Sequence, residues 1–217
     1  MKPFDPIRPP RLPAVPELQN LAVGGSFFLN SAQIQNERRN GTEFKQCEID
    51  QSRFDRVELS SCRFKTALIA DTTFDECLLF GSNFDNSHLK RVSITGGMHT
   101  GIILSGAKME DITFRNCKLN LSNFRLSQLK RITFIDCELS DADFGTSQLS
   151  QVTFDSCVMT GADFSSCEIL SADLRDSDIS LIKGISGLKG ATVNLTQAIG
   201  LAQTMAIELG LNIVTAT

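Results

Sequence analysis

Ala142-Asp143-Phe144-Gly145-Thr146, Ser147-Gln148-Leu149-Ser150-Gln151 and Val152-Thr153-Phe154-Asp155-Ser156 follow one another without a gap. Each block puts a small or β-branched residue first and a large apolar residue third. Stepping back by fives from Phe144 meets Leu139, Phe134, Leu129, Phe124, Leu119, Phe114, Met109 and Leu104, then Ile94, Leu89, Phe84, Leu79, Phe74, Ile69, Phe64, Leu59, Phe54, Ile49 and Phe44. Stepping forward meets Leu149, Phe154, Met159, Phe164, Ile169, Leu174 and Ile179. Leu29 and Ile34 already fit the count, and Arg39 and His99 interrupt it. A period of five matches neither the 3.6 of an amphipathic helix nor the 2 of a half-buried strand. It marks a repeat array, in which each unit buries its apolar side chains against its neighbours.

Units such as Ala142-Asp143-Phe144-Gly145-Thr146 and Ala162-Asp163-Phe164-Ser165-Ser166 resemble the pentapeptide-repeat family over roughly residues 26 to 180. The resemblance implies an all-β fold, a right-handed parallel β-helix of quadrilateral coils. Four pentapeptides make one coil, and the central residue and the small residue two before it point into the shaft.

A 20-residue coil stacks positions 20 apart, and the charges agree with that stacking. Asp71, Arg91, Asp111 and Arg131 alternate in sign along one column, and Lys90, Glu110 and Lys130 alternate in the opposite phase beside it. At the strand spacing of about 4.8 Å such neighbours attract, by a few tenths of a kcal/mol each, so the ladder sets register more than stability. Phe44, Phe64, Phe84, Leu104, Phe124, Phe144 and Phe164 form one apolar column, and Phe54, Phe74, Ile94, Phe114, Phe134 and Phe154 form another half a turn away.

The chain of 217 residues has a formal net charge of −4, which suits a single elongated domain rather than a nucleic-acid binder of extreme charge. No secretory leader pattern and no apolar run long enough to span a bilayer are present, so a soluble cytoplasmic protein is expected. Cys47, Cys62, Cys77, Cys117, Cys137, Cys157 and Cys167 all fall two before a central residue and include no CxxC pair. They read as small core side chains, reduced and stacked, rather than as metal ligands or a redox pair.

Four segments are expected. Residues 1–20 hold all six prolines and form an extended arm, either draped on the surface or used for docking a partner; 21–43 cap the first coil, with a turn at Glu37-Arg38-Arg39-Asn40-Gly41. Residues 44–180 are the repeat, weakened at Thr95-Gly96-Gly97-Met98-His99-Thr100-Gly101, which reads as a distorted corner or a ligand-facing bulge. Residues 181–217 hold a helix from about Thr196 to Leu209, with Asn194 or Thr196 as its N-cap and Gly210 as its stop. Leu195, Ile199, Ala202, Ala206 and Leu209 recur on it at helical spacing. Such a helix caps the open coil, and the family resemblance implies that it also joins two copies into a dimer.

Two isolated histidines, His88 and His99, leave no plausible catalytic pair, and the glycines at 184, 187 and 190 lack the lysine of a phosphate loop. No enzyme, metal or other cofactor is expected. The acidic residues are more telling. Asp136, Glu138, Asp141, Asp143, Asp155, Asp163, Glu168, Asp173, Asp176 and Asp178 face only Arg175 between residues 136 and 178, a local charge of −9. Residues 1–135 carry 14 acids and 18 bases, a charge of +4, so the rod is polarised.

The candidate interaction surface is Asp136, Glu138, Asp141, Asp143, Asp163, Asp173, Asp176 and Asp178. A general protein-interaction or structural scaffold needs only a rigid, regular surface. The family resemblance implies an alternative, because members associated with quinolone resistance mimic DNA in the saddle of type II topoisomerases. On that reading the partner is DNA gyrase or topoisomerase IV, with no direct contact to nucleic acid or membrane. This chain departs from those members in its basic N-terminal half, its proline-rich arm and the absence of a long loop between coils.

Overall fold

A left-handed residue two positions after most of the central apolar side chains bends the backbone. Asp71 follows Ile69 with φ of 46°, Glu76 follows Phe74 with 52°, and Asn116 follows Phe114 with 53°. This region costs an ordinary L-residue about 1 kcal/mol and favours Gly, Asn and Asp, which explains the glycines at the corners Gly81, Gly101, Gly106 and Gly161. Four such bends return the chain above its start.

The computed structural model describes residues 4–14, 16–21 and 25–211. Its strands are β1 (Glu17–Leu18), β2 (Gly25–Asn30), β3 (Ala32–Gln35), β4 (Phe44–Asp50), β5 (Arg53–Asp55), β6 (Leu68–Asp75), β7 (His88–Thr95), β8 (Lys108–Arg115), β9 (Gln128–Ile135), β10 (Gln148–Val158), β11 (Glu168–Asp178) and β12 (Ala191–Thr192). A 3-10 turn (Ile185–Leu188) and a helix α1 (Leu195–Glu208) complete the order. Every strand pairing is parallel, and the register from β6 to β9 is 20 residues: Ile69, Leu89, Met109 and Leu129 lie over one another, as do Phe74, Ile94, Phe114 and Phe134. The other two sides of each coil pair through single bridges at the same interval, such as Leu78 to Met98 to Lys118 and Asn83 to Ile103 to Asn123. The fold is a parallel β-solenoid of about eight turns.

The shaft is the core. Phe124, Phe134 and Phe144 are wholly buried, and rings one coil apart stack with centroids 4.6 to 5.0 Å apart. The small position handles the polar balance. The Ser87 and Ser177 hydroxyls accept from Ala67 N and Cys157 N and donate to Phe64 O and Phe154 O. Cysteines take the same position: all seven are free and buried, and desolvation pushes the Cys47 and Cys77 thiols up to about 12.

Neither expected irregularity breaks the coil. Arg39 N donates to Glu58 O at 2.8 Å and Gly41 N to Ser60 O at 2.9 Å, so the segment read as a turn is a repeat side whose central Arg39 pairs with Glu37 at 2.9 Å. At Gly96–Gly101 the corner is distorted, with Gly97 (φ 81°) left-handed as well as Gly96 (φ 66°), yet the coil continues: His99 N donates to Lys118 O and Gly101 N to Asn120 O, both at 2.9 Å. His99 occupies the shaft itself, and its Nε2 bonds Gly96 O at 2.9 Å. Gly97 is required there, since a Cβ would lie 2.0 Å from Cys77 O.

Candidate interaction surfaces

The acidic residues near the end of the rod are spread over several sides, and many are engaged locally. Asp143 Oδ1 accepts from Gly145 N at 2.8 Å and Asp143 pairs with Arg125 at 3.4 Å; Asp163 and Asp178 accept from Ser165 N and Ser180 N at 2.8 and 2.9 Å. Asp173 pairs with Arg175 at 2.6 Å and Asp141 with Lys183 at 3.6 Å. The Arg175 guanidinium outweighs burial and holds the Asp173 carboxyl below the usual range. Asp136, Glu138, Asp141, Asp176 and Asp178 are the candidates that stand exposed. Asp143 and Asp163 are half-buried residues of the parallel bridges, and their side chains brace the corner two residues on as much as they form surface.

The helix α1 closes the last coil through its own start. Asn194 Oδ1 accepts from Gln197 N at 2.9 Å and Gln197 Oε1 from Asn194 N at 2.8 Å, a reciprocal cap. The two amides then reach the open edge: Asn194 Nδ2 donates to Arg175 O at 2.6 Å, and Gln197 Nε2 to Leu174 O and Ser177 O at 2.7 Å. At the far end Leu211 N donates to Ala206 O at 2.8 Å across Gly210, whose φ is 73°. Among the described side chains of the helix, Leu201 is the buried one. Leu195, Ile199, Ala202 and Leu209 are exposed and Ala206 half-buried, so the expected stripe turns away from the shaft.

A third surface joins two features that the sequence shows separately. The proline-rich arm lies along the charge ladder. Arg11 N donates to Asp71 Oδ1 at 2.9 Å and Arg8 N to Asp111 Oδ1 at 3.3 Å, while Gln151 Nε2 donates to Asp5 Oδ2 at 3.1 Å and Arg53 Nη2 to Pro13 O at 3.3 Å. Burial follows: the corner residues Asp71 and Asp111 are 4% and 1% exposed, against 63% and 64% for the uncovered corners Leu121 and Leu126. Beneath the arm Arg91 pairs with Asp71, and Arg131 with Asp111 at 2.6 Å and Glu110 at 2.6 Å. Burial pushes the Asp71 and Asp111 carboxyls up. The guanidiniums of Arg91 and Arg131 and the amides of Arg11 and Arg8 outweigh it, and both carboxyls sit below the usual range.

Among the described residues no group of three or more His, Cys, Asp or Glu is placed to hold a metal, and no helix is long and apolar enough to cross a membrane. His99 is sealed in the shaft and His88 stands outside it. A groove of about 430 Å³ between α1 and the last coil is lined by Ser177–Leu181, Thr196, Gln197, Gly200, Leu201 and Thr204, without a charged group other than Asp178.

Comparison with known proteins bears on the fold. Residues 107–183 match the family described as a pentapeptide repeat region. No curated protein matches the chain. Similar solved structures include a trypsin-treated QnrB1, a plasmid-mediated fluoroquinolone resistance protein, at 19% identity over 88% of this chain and 99% of that one, with a TM-score of 0.40. HetL, a pentapeptide repeat protein involved in heterocyst differentiation regulation from the cyanobacterium Nostoc sp., is 14% identical over 78% and 88%, with a TM-score of 0.35. Rfr23, a pentapeptide repeat protein from the cyanobacterium Cyanothece, is 11% identical over 79% and 84%, with a TM-score of 0.22. At such scores these likenesses carry no argument beyond the coils already described. The match identifies residues 107–183 as a pentapeptide repeat region, and the same 20-residue register continues on the N-terminal side of that stretch.

Proposed function

We infer that the chain is a non-enzymatic protein-interaction scaffold, cytoplasmic, and paired with a second copy through α1. The observation that carries this reading is the unbroken register: from β6 to β9 each outward side chain is held at a fixed place by a shaft with no reactive cluster. Recognition then rests on the pattern of outward residues on rigid coils, which bind without the ordering cost of a flexible surface.

One observation favours a second reading, a DNA-mimicking modulator of gyrase or topoisomerase IV. The local charge of −9 between residues 136 and 178 lies beside α1, so pairing there joins two acidic segments. The rod of residues 26–180 is roughly 37 Å long and two end to end span roughly 75 Å, a length comparable with about 22 base pairs of duplex. The test is gyrase supercoiling and quinolone-induced cleavage at low salt, with Asp136→Lys, Glu138→Lys, Asp141→Lys and Asp176→Lys combined, since these four are exposed. A mimic changes both activities in a way that fades as salt rises and disappears in the variant. A scaffold leaves both activities unchanged and instead retains a specific protein on an affinity column.

A further inference from the structure

We propose that the corner groove from Asp71 to Gln151 is a recognition site for extended, cationic, proline-rich segments of partner proteins, and that residues 4–13 are its resident occupant in cis. This rests on reading the chain as a protein-interaction module and names the chemistry of the partner.

The geometry of the occupant is set by two repeats that match. A polyproline II chain advances about 3.1 Å per residue with three residues per turn, or about 9.3 Å per turn. Two coils of the solenoid rise about 9.6 Å. Three residues of arm therefore climb two coils, and the contacts obey that ratio: Arg11, Arg8 and Asp5, three apart, meet Asp71, Asp111 and Gln151, 40 apart. Burial along the arm follows the same period up to Pro10, since Phe4, Ile7 and Pro10 are half-buried and Asp5, Arg8 and Arg11 are exposed, and then Leu12 and Pro13 are both half-buried. The groove thus reads the backbone N–H of Arg8 and of Arg11, each preceded by an apolar residue or proline, and three residues before Arg8 it meets the Asp5 carboxylate instead. Pro9, Pro10 and Pro13 fall where no N–H is required, while Arg8 and Arg11 supply the two donors to buried carboxylates. Their charges lie near Asp111 and Asp71, so a cationic residue is favoured at each donor position.

The fit of the arm is incomplete at both ends of the groove. Arg53 Nε and Gln151 Oε1 are buried without a hydrogen-bond partner, although Arg53 meets Pro13 O through Nη2 and Gln151 meets Asp5 through Nε2. Unpaired buried groups are uncommon and costly. A segment with a donor in place of Asp5 and an acceptor beside Arg53 would satisfy both atoms. The arm holds its place because it is tethered: an effective concentration on the order of 1 mM lets a weak segment stay bound in cis and still yield to a better ligand.

The test frees the groove without touching the coils. In the full chain, Arg8→Pro with Arg11→Pro removes both N–H donors and keeps the arm extended. The probe is a fluorescein-labelled peptide with the sequence of residues 4–14, read by anisotropy at low salt, with circular dichroism to confirm the coils. The doubly substituted chain should bind the probe at least ten-fold more tightly than the unaltered chain. A peptide carrying the same two prolines should lose that binding, and this peptide control needs no change to the protein. Equal binding by the two chains, or by the two peptides, overturns the proposal. Dimerisation of the unaltered chain that the double substitution abolishes would assign the groove to the arm of a second copy and overturn the partner assignment. If the probe fails while the intact chain still retains a specific partner, the groove is overturned and the scaffold reading stands.

Discussion

Phe134 shows what one side chain contributes to the shaft. Its ring lies 4.9 Å from Phe114 and 4.9 Å from Phe154 in stacked geometry, and edge-on to Phe124 at 5.9 Å and Phe144 at 6.3 Å. Coils above and below limit collapse into the space it fills, so Phe134→Ala should lower stability by about 3 to 5 kcal/mol in urea denaturation. His99 is the opposite case. It stands in a column of leucines with Leu79 and Leu119, and its Nδ1 is buried without a partner. His99→Leu should raise stability by about 1 kcal/mol, because it removes that unpaired atom. Gly96 O keeps the Cys117 thiol as a donor. Burial holds the His99 pKa below its ordinary value of 6.5. The unfolded chain therefore takes up the proton first, and the neutral ring's share of stability is present above pH 6.5 and lost as pH falls below it. In His99→Leu that part of the acid-side slope should vanish, as denaturation at a series of pH values would show.

At the scale of the element, α1 is the piece whose outer face has no partner in the monomer. Leu195 and Ile199 on the helix and Leu209 just past its end are 76%, 68% and 73% exposed, while Leu201 secures the helix to the shaft. An identical patch on a second copy closes such a surface by two-fold symmetry. Sedimentation velocity should find the intact chain dimeric at micromolar concentration, and truncation after Gly190 should give monomer or aggregate. A monomeric intact chain would remove the dimer. The start and stop of this helix were readable from Asn194 and Gly210, because caps are local chemistry. Which residue faced the coil was not readable, since the stripe of apolar residues fits either orientation and the polar amides of Asn194 and Gln197 decide it by reaching Arg175 O, Leu174 O and Ser177 O.

For the whole molecule, the sequence alone determined the solenoid. A five-residue period places Phe, Leu and Cys in a shaft wherever a left-handed corner follows, and columns 20 apart predict the partners that β6 to β9 adopt. The same reasoning read a turn at Arg39 because it followed side chains, whereas the coil there is held by backbone hydrogen bonds; the distorted corner it read at Gly96–Gly101 is present as a second left-handed glycine, Gly97, within an unbroken coil. The acidic cluster was countable in the sequence, yet only the structure showed Asp143, Asp163 and Asp178 spent on their own turns. Only the tertiary structure brought the arm onto the ladder. Its contacts join residues 40 to 146 positions apart, and they match a three-residue rise to a twenty-residue one. Neither period is visible in the other, so their agreement exists only in ångströms along the rod, where three residues of extended chain and two coils of sheet have nearly the same length.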